Sequence, residues 1–172
     1  ACNRIGGDLS DEQIPWLEDQ AGSPDRELAA RIILLGKYFL SKEKVVRKTR
    51  AEHIYWIIEQ HPDCTTAGTP EALLLKREEP AAYEAAKDLW LRQCATNKTN
   101  AAVVGNAARF FLLNEPEIAE KLFLAAQTLE PDNPEWHDLL AQRYSLSAKY
   151  GPAEKRSEKA RQSLVELEMA EQ

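Results

Sequence analysis

Along this chain apolar side chains return every three to four positions in a series of separate stretches, and each stretch is closed by proline, glycine or a short Asn/Asp/Ser turn. That spacing is the signature of amphipathic helices. Long alternating Val/Ile/Thr runs are absent, so no sheet is expected. Ser10-Asp11-Glu12-Gln13 reads as a capping box before a short helix with Ile14, Trp16 and Leu17, ended by a left-handed glycine cap at Ala21-Gly22. Pro24 is expected at the first position of the next helix, whose stripe is Leu28, Ile32, Leu35 and Phe39. A third helix is predicted from Lys44 to Gln60, with Ala51, Ile54, Tyr55 and Ile58 inward and Pro62 as its stop. Thr69-Pro70-Glu71 caps a short helix through Leu75. Pro80 begins another, with Ala82, Ala86, Leu89 and Trp90 on one face.

The second half reads more regularly. A helix over 101–113 ends at Asn114, which with Pro116 starts a helix carrying Ile118, Ala119, Leu122, Phe123, Ala126 and Leu129. Asn133-Pro134 opens a helix with Trp136, Leu139, Leu140 and Tyr144, and Gly151-Pro152 separates it from a last, charge-rich helix. Residues 100–133 and 134–167 echo each other at a spacing of 34: Ala107 with Ala141, Phe110 with Tyr144, Ala119 with Ala153, Ala126 with Ala160. A period of that length marks a helix-pair array.

On these residues the chain resembles the tetratricopeptide repeat (TPR) family. Its pattern has a small residue at repeat position 8, aromatics at 11 and 24, alanine at 20 and 27, and proline near 32. Ala107, Phe110, Ala119, Phe123, Ala126 and Pro131 meet it in the repeat 100–133. The repeat 134–167 keeps Ala141, Tyr144, Ala153 and Ala160, with Ser157 in place of the second aromatic. Two degenerate repeats are expected upstream: 29–65, through Leu35-Gly36, Phe39, Ala51, Tyr55 and Pro62, and 66–99, through Ala86 and Trp90. The resemblance implies an all-α, right-handed helix-pair solenoid (a TPR-like superhelix) of about eight or nine helices over 23–172. A polar, acidic segment with one short helix precedes it at 1–22. The chain also looks like exported bacterial TPR proteins.

That family recognises peptides in a concave groove lined by the first helix of each pair. Carried over position by position, the groove is Ala101, Val104, Ala108, Phe111 and Leu112, then Glu135, Asp138, Gln142, Ser145 and Leu146. The Lys/Asn set that clamps a C-terminal carboxylate in some relatives is missing. An apolar or basic segment, or a partner helix, suits such a groove. The resemblance thus implies a non-enzymatic protein-interaction scaffold with a protein or peptide partner. The alternative is a self-associating structural protein of a bacterial envelope complex, forming a homodimer.

Composition narrows the partner. Of 172 residues, 22 are Lys or Arg and 28 Asp or Glu, a net charge of −6, which argues against nucleic acid. The stretch Lys37–Arg50 runs against this balance, with Lys37, Lys42, Lys44, Arg47, Lys48 and Arg50 against Glu43. It reads as a solvated helix face, as a site for phosphate or an acidic peptide, or as the seat of the acidic leader. No apolar run is long enough for a transmembrane segment. His53, His61 and His137 lack HExxH spacing and read as surface or helix-end residues, and no nucleophile–base set stands out, so no catalytic, metal or cofactor site is expected. Cys64 and Cys94 read as unpaired thiols, or as a pair joining stacked repeats. Ala1-Cys2 fits the trimmed start of a lipoprotein, with Cys2 lipidated; an ordinary cysteine fits as well. An exported, periplasmic location is favoured over a cytoplasmic one.

Overall fold

Periodicity of about 3.6 and a scarcity of glycine lead to an all-α chain. In a computed structural model, which describes residues 9–171, eight α-helices and four short 3₁₀ turns are present, and no strand occurs among the described residues. The helices are α1 (Ile14–Gln20), α2 (Glu27–Tyr38), α3 (Lys44–Gln60), α4 (Pro80–Thr96), α5 (Ala101–Phe111), α6 (Pro116–Leu129), α7 (Pro134–Tyr150) and α8 (Arg156–Ala170). They fall into two compact units, residues 1–93 and 94–172. Cys2 and Gly6-Gly7 lie outside the described residues.

In the first unit α1 packs on α2 and α2 on α3. Leu17 and Ala21 are buried with Ala30, Leu34 and Tyr38, so the acidic leader's helix belongs to the core of this unit instead of standing apart from it. This contact rotates the inner face of α2: Ala30, Leu34, Leu35 and Tyr38 are buried, while Leu28 and Ile32 are only half-buried. Helix α2 also starts three residues later than Pro24 suggested. Ser23–Arg26 forms a turn, closed by the Arg26 amide donating to the Ser23 carbonyl at 3.0 Å. Gly22 does not take the left-handed conformation; α1 ends with its amide on the Asp19 carbonyl at 3.1 Å. The reach-back half of the capping box forms, with Gln13 Oε1 accepting from the Ser10 amide at 3.0 Å.

Helix α3 spans the predicted residues and buries Ala51, Ile54, Ile57 and Ile58. After it, the short helix expected to run through Leu75 shrinks to one 3₁₀ turn, Pro70–Ala72, and a second 3₁₀ turn, Thr65–Gly68, lies in the segment before it. Arg50 explains this. Its buried guanidinium donates to the Glu71 carbonyl at 2.9 Å and the Leu73 carbonyl at 2.6 Å, and Leu73 is extended. Those carbonyls are held by a side chain from α3, so they are not the acceptors of a continuing helix.

In the second unit α5 packs on α6, α6 on α7 and α7 on α8. Asn100 Oδ1 caps α5 from the Val103 amide at 3.2 Å, and Asn133 Oδ1 caps α7 from the Glu135 amide at 3.1 Å. Asn114 does not cap α6; Glu115 holds that position, and the Asn114 amide closes the turn after α5 on Phe111. Ala119, Phe123 and Ala126 are fully buried, as are Ala107 and Phe110. Gly105 lets α7 come close: a methyl carbon built on it would meet the Trp136 indole, with Cζ2 at 3.3 Å and Cη2 and Cζ3 nearer still.

The echo does not extend to α8. Ala153 sits in a 3₁₀ turn, and Ala153, Ser157 and Ala160 are exposed. Ser163 is the buried residue of α8, and its hydroxyl donates to the Ala141 carbonyl at 2.9 Å. Lys159 and Glu166 make part of the rest of the inner face ionic. Lys159 meets Glu120 at 2.8 Å, and Glu120 also meets Arg143 at 3.3 Å. Charged residues that reach inward turn the alanines out.

Candidate functional site

An open groove of about 770 Å³ lies between the first half of α3 and the start of α4, within the first unit. The first turns of both helices line it, through Lys44, Val45 and Arg47 of α3 and Pro80, Ala81 and Ala82 of α4. Ala51, Tyr55 and Ala82 give it an apolar lining, and Val45, 77% exposed, stands at its rim. The Tyr55 hydroxyl donates to the Ala82 carbonyl at 3.2 Å and ties the two helices together. Burial first, then Glu79 and Glu52, push the Tyr55 phenol above its ordinary value, so it remains a donor.

The charged lining is mixed: Lys42, Lys44, Arg47, Lys48 and Glu52 come from α3 and the turn before it, Glu78 and Glu79 from the segment that leads into α4. Arg47 reaches Glu78 at 3.4 Å, and Lys48 lies 3.9 Å from Glu52 in its own helix. Such exposed pairs contribute about 0–1 kcal/mol and open readily. Arg50 lies deeper, 3.7 Å from Glu79 and 5.6 Å from the centre of the Phe39 ring. Lys42 and Lys44 are exposed and make no ion pair among the described residues. The basic stretch therefore divides three ways. Arg50 is structural and Lys42 to Lys48 line the groove. Lys37 takes the leader, donating to the Leu9 carbonyl at 2.7 Å and meeting Asp11 at 3.1 Å.

The helix-A positions fare unequally. Ala101, Val104, Ala108 and Phe111 are 4, 3, 0 and 0% exposed, and Leu112 is half-buried. These side chains are core, and the apolar half of the expected groove is closed. Helix α5 buries nine of its eleven residues, all but Ala102 and Arg109, so its expected groove positions are enclosed. Glu135, Asp138, Gln142 and Ser145 are exposed along α7 with Leu146, and Arg109 is ion-paired with Glu135.

Two histidines expected at the surface are buried, and their partners explain it. His53 sits between α1, α2 and α3. Arg31 Nη1 lies 3.0 Å from Nδ1; arginine only donates, so Nδ1 accepts and Nε2–H faces Glu18 at 3.3 Å. Glu18 also accepts from the Tyr38 hydroxyl at 2.6 Å, and Arg31 donates to the Ala21 carbonyl at 3.1 Å. Burial holds the His53 pKa below its ordinary value, with Glu18 opposing and Arg31 reinforcing the shift. Burial and then Glu18 raise Tyr38 far above the usual phenol range. In the second unit His137 Nδ1 meets Glu166 at 2.7 Å, and the Gln127 amide donates to the same carboxylate at 3.0 Å, joining α6, α7 and α8. His61 does end a helix, as the C-cap of α3, with its ring 5.0 Å from that of Trp56. In both buried clusters the histidine binds a carboxylate and an adjoining side chain, an arrangement that fastens helices.

Neither Cys64 nor Cys94 is in a disulfide, and burial pushes the Cys94 thiol up to about 11. Among the described residues no group of three His, Cys, Asp or Glu could hold a metal ion, and no helix is long and apolar enough to cross a membrane.

The groove escaped sequence reasoning because its walls are some thirty residues apart in the chain. The available signals were Val45, an apolar residue among lysines, and Glu78-Glu79 directly before Pro80. Neither implies that the two stretches meet. No family model matches the chain, and neither the curated proteins nor the solved structures contain a match.

Proposed function

We propose that this protein is a non-enzymatic interaction module with TPR-like, right-handed helix-pair organisation, and that it takes an amphipathic peptide segment or partner helix in the α3/α4 groove. The observation that carries the reading is the apolar lining of Ala51, Tyr55 and Ala82, with Val45 at the rim, flanked by the mainly basic start of α3 and by Glu78 and Glu79 before α4. An apolar side chain laid on that lining gains about 1.5–3 kcal/mol if fully buried. An acidic group beside it meets Lys42 and Lys44, and a basic one meets Glu78, so the charges fix the direction of the segment. The repeat organisation is supported by the sequential packing of α5 to α8 and by the burial of Ala119, Phe123 and Ala126. A binding role is favoured over catalysis because the buried polar clusters spend their hydrogen bonds on joining helices.

A second reading keeps the helix-A surface. Glu135, Asp138, Gln142 and Ser145 form an exposed acidic and polar stripe on α7, suited to a basic segment.

Peptide display on the intact chain, followed by calorimetry of a selected peptide, separates the two. Val45→Glu is expected to weaken binding by about tenfold or more, roughly 1.4 kcal/mol. Binding that ignores Val45→Glu but is lost in Asp138→Lys supports the α7 stripe. Absence of any saturable peptide binding contradicts both.

A further inference from the structure

Helix α8 is built inside out. Its inward positions are Lys159, Gln162, Ser163 and Glu166, all polar, followed in the last turn by Ala170, while Leu164 and Val165 on the other side are 61 and 56% exposed, and Leu167 and Met169 are exposed as well. An amphipathic helix in water is expected to show the reverse. An apolar surface on a helix already docked through polar contacts fits a second partner.

The charges on the same surface say which partner. Arg161, Leu164, Val165 and Glu168 follow one another at i, i+3, i+4 and i+7, which puts them on one stripe with a base at one end and an acid at the other. Seven residues of helix span about 10 Å, too far for Arg161 and Glu168 of one chain to pair directly. Turned end for end about the point between Leu164 and Val165, the stripe is complementary to itself. Each Arg161 then faces a Glu168 of the other copy, and the leucine–valine pairs meet between them.

We propose that the outer face of α8 is a two-fold interface with a second copy of this chain, the two α8 helices running antiparallel. Such an isologous contact uses one patch twice and closes on itself, so it yields a dimer and not a filament. This interface is independent of the α3/α4 groove, which lies in the other unit. It gives the binding module two copies of its groove in one particle.

The test is sedimentation velocity of the full chain over a wide concentration range, with circular dichroism and thermal melts as fold controls. The wild type is expected to show a reversible monomer–dimer equilibrium, and Leu164→Glu to remain monomeric with unchanged helicity. Arg161→Glu and Glu168→Arg are each expected to raise the dimer dissociation constant by about tenfold, because each sets like charges together at two symmetry-related points. The double reversal Arg161→Glu/Glu168→Arg restores complementarity and is expected to return the constant to near the wild-type value. A monomeric wild type, a dimer indifferent to Leu164→Glu, or a double reversal weaker than either single change would overturn the proposal. The charge reversals also decide the matter if Leu164→Glu loses helicity.

Discussion

Gly105→Ala is the smallest change that reports on how α5 and α7 meet. Helix propensity alone predicts a gain, since alanine is better than glycine inside a helix by about 1 kcal/mol. The packing predicts a loss. The Trp136 indole lies across Gly105, is almost fully buried, and is held on other sides. Its N–H donates to Glu130 at 3.1 Å, and the Arg109 guanidinium sits 5.3 Å from the centre of its ring. The added methyl carbon overlaps the far edge of the indole, so the ring or the helix must move. Overpacking typically costs about 1–3 kcal/mol, and an overlap this deep belongs in the upper part of that range, which outweighs the propensity gain of about 1 kcal/mol. We expect net destabilisation of about 1–2 kcal/mol, read in a urea titration and as a Tm lower by roughly 2–8 °C. Trp136→Leu removes the obstacle. In that background Gly105→Ala should be neutral or mildly stabilising, a coupling of at least ~1 kcal/mol in the double-mutant cycle. An equal or higher Tm for Gly105→Ala in the wild-type background would refute the close approach of α7.

Other expectations follow from the same interior. Phe123→Ala and Trp90→Ala, both at fully buried side chains, should each cost about 3–5 kcal/mol in denaturant titrations. Arg50→Met leaves the Glu71 and Leu73 carbonyls without their donor and should cost about 3 kcal/mol, with faster amide exchange between Thr65 and Leu75. His53 titrates below its ordinary value of 6.5 in the folded chain, so the unfolded state binds the extra proton first. Its contribution is therefore complete above about pH 6.5 and is lost as the pH falls below that value, with a slope of at most ~1.4 kcal/mol per unit. His53→Gln should flatten the stability profile between pH 7 and pH 5, roughly the range in which histidine charge changes.

The parts of this fold legible in the sequence are those governed by local spacing and caps. Helix α3 runs from Lys44 to Gln60 as its pattern predicts, and Asn100 and Asn133 cap the helices they precede. The misses share one cause, side chains acting at long range. Arg50 reaches more than twenty residues to hold Glu71 and Leu73, and a short helix is replaced by a turn. Helix α1 covers α2 and turns Leu28 and Ile32 partly outward. Lys159 and Glu166 face inward, so Ala153 and Ala160, which match the repeat in letters, do not match it in packing. The α3/α4 groove is legible only in part, as a basic stretch whose acidic counterpart lies far along the chain. The burial of Ala101, Val104, Ala108 and Phe111 depends on how fully α5 is enclosed, which the spacing of the repeat does not encode.

The most direct test of the proposed binding site is hydrogen–deuterium exchange on the full chain with and without a display-selected peptide. Binding in the groove predicts protection confined to residues 42–55 and 78–82, lost together with affinity in Val45→Glu. Protection over residues 134–146 instead, or none at saturating peptide, would contradict it.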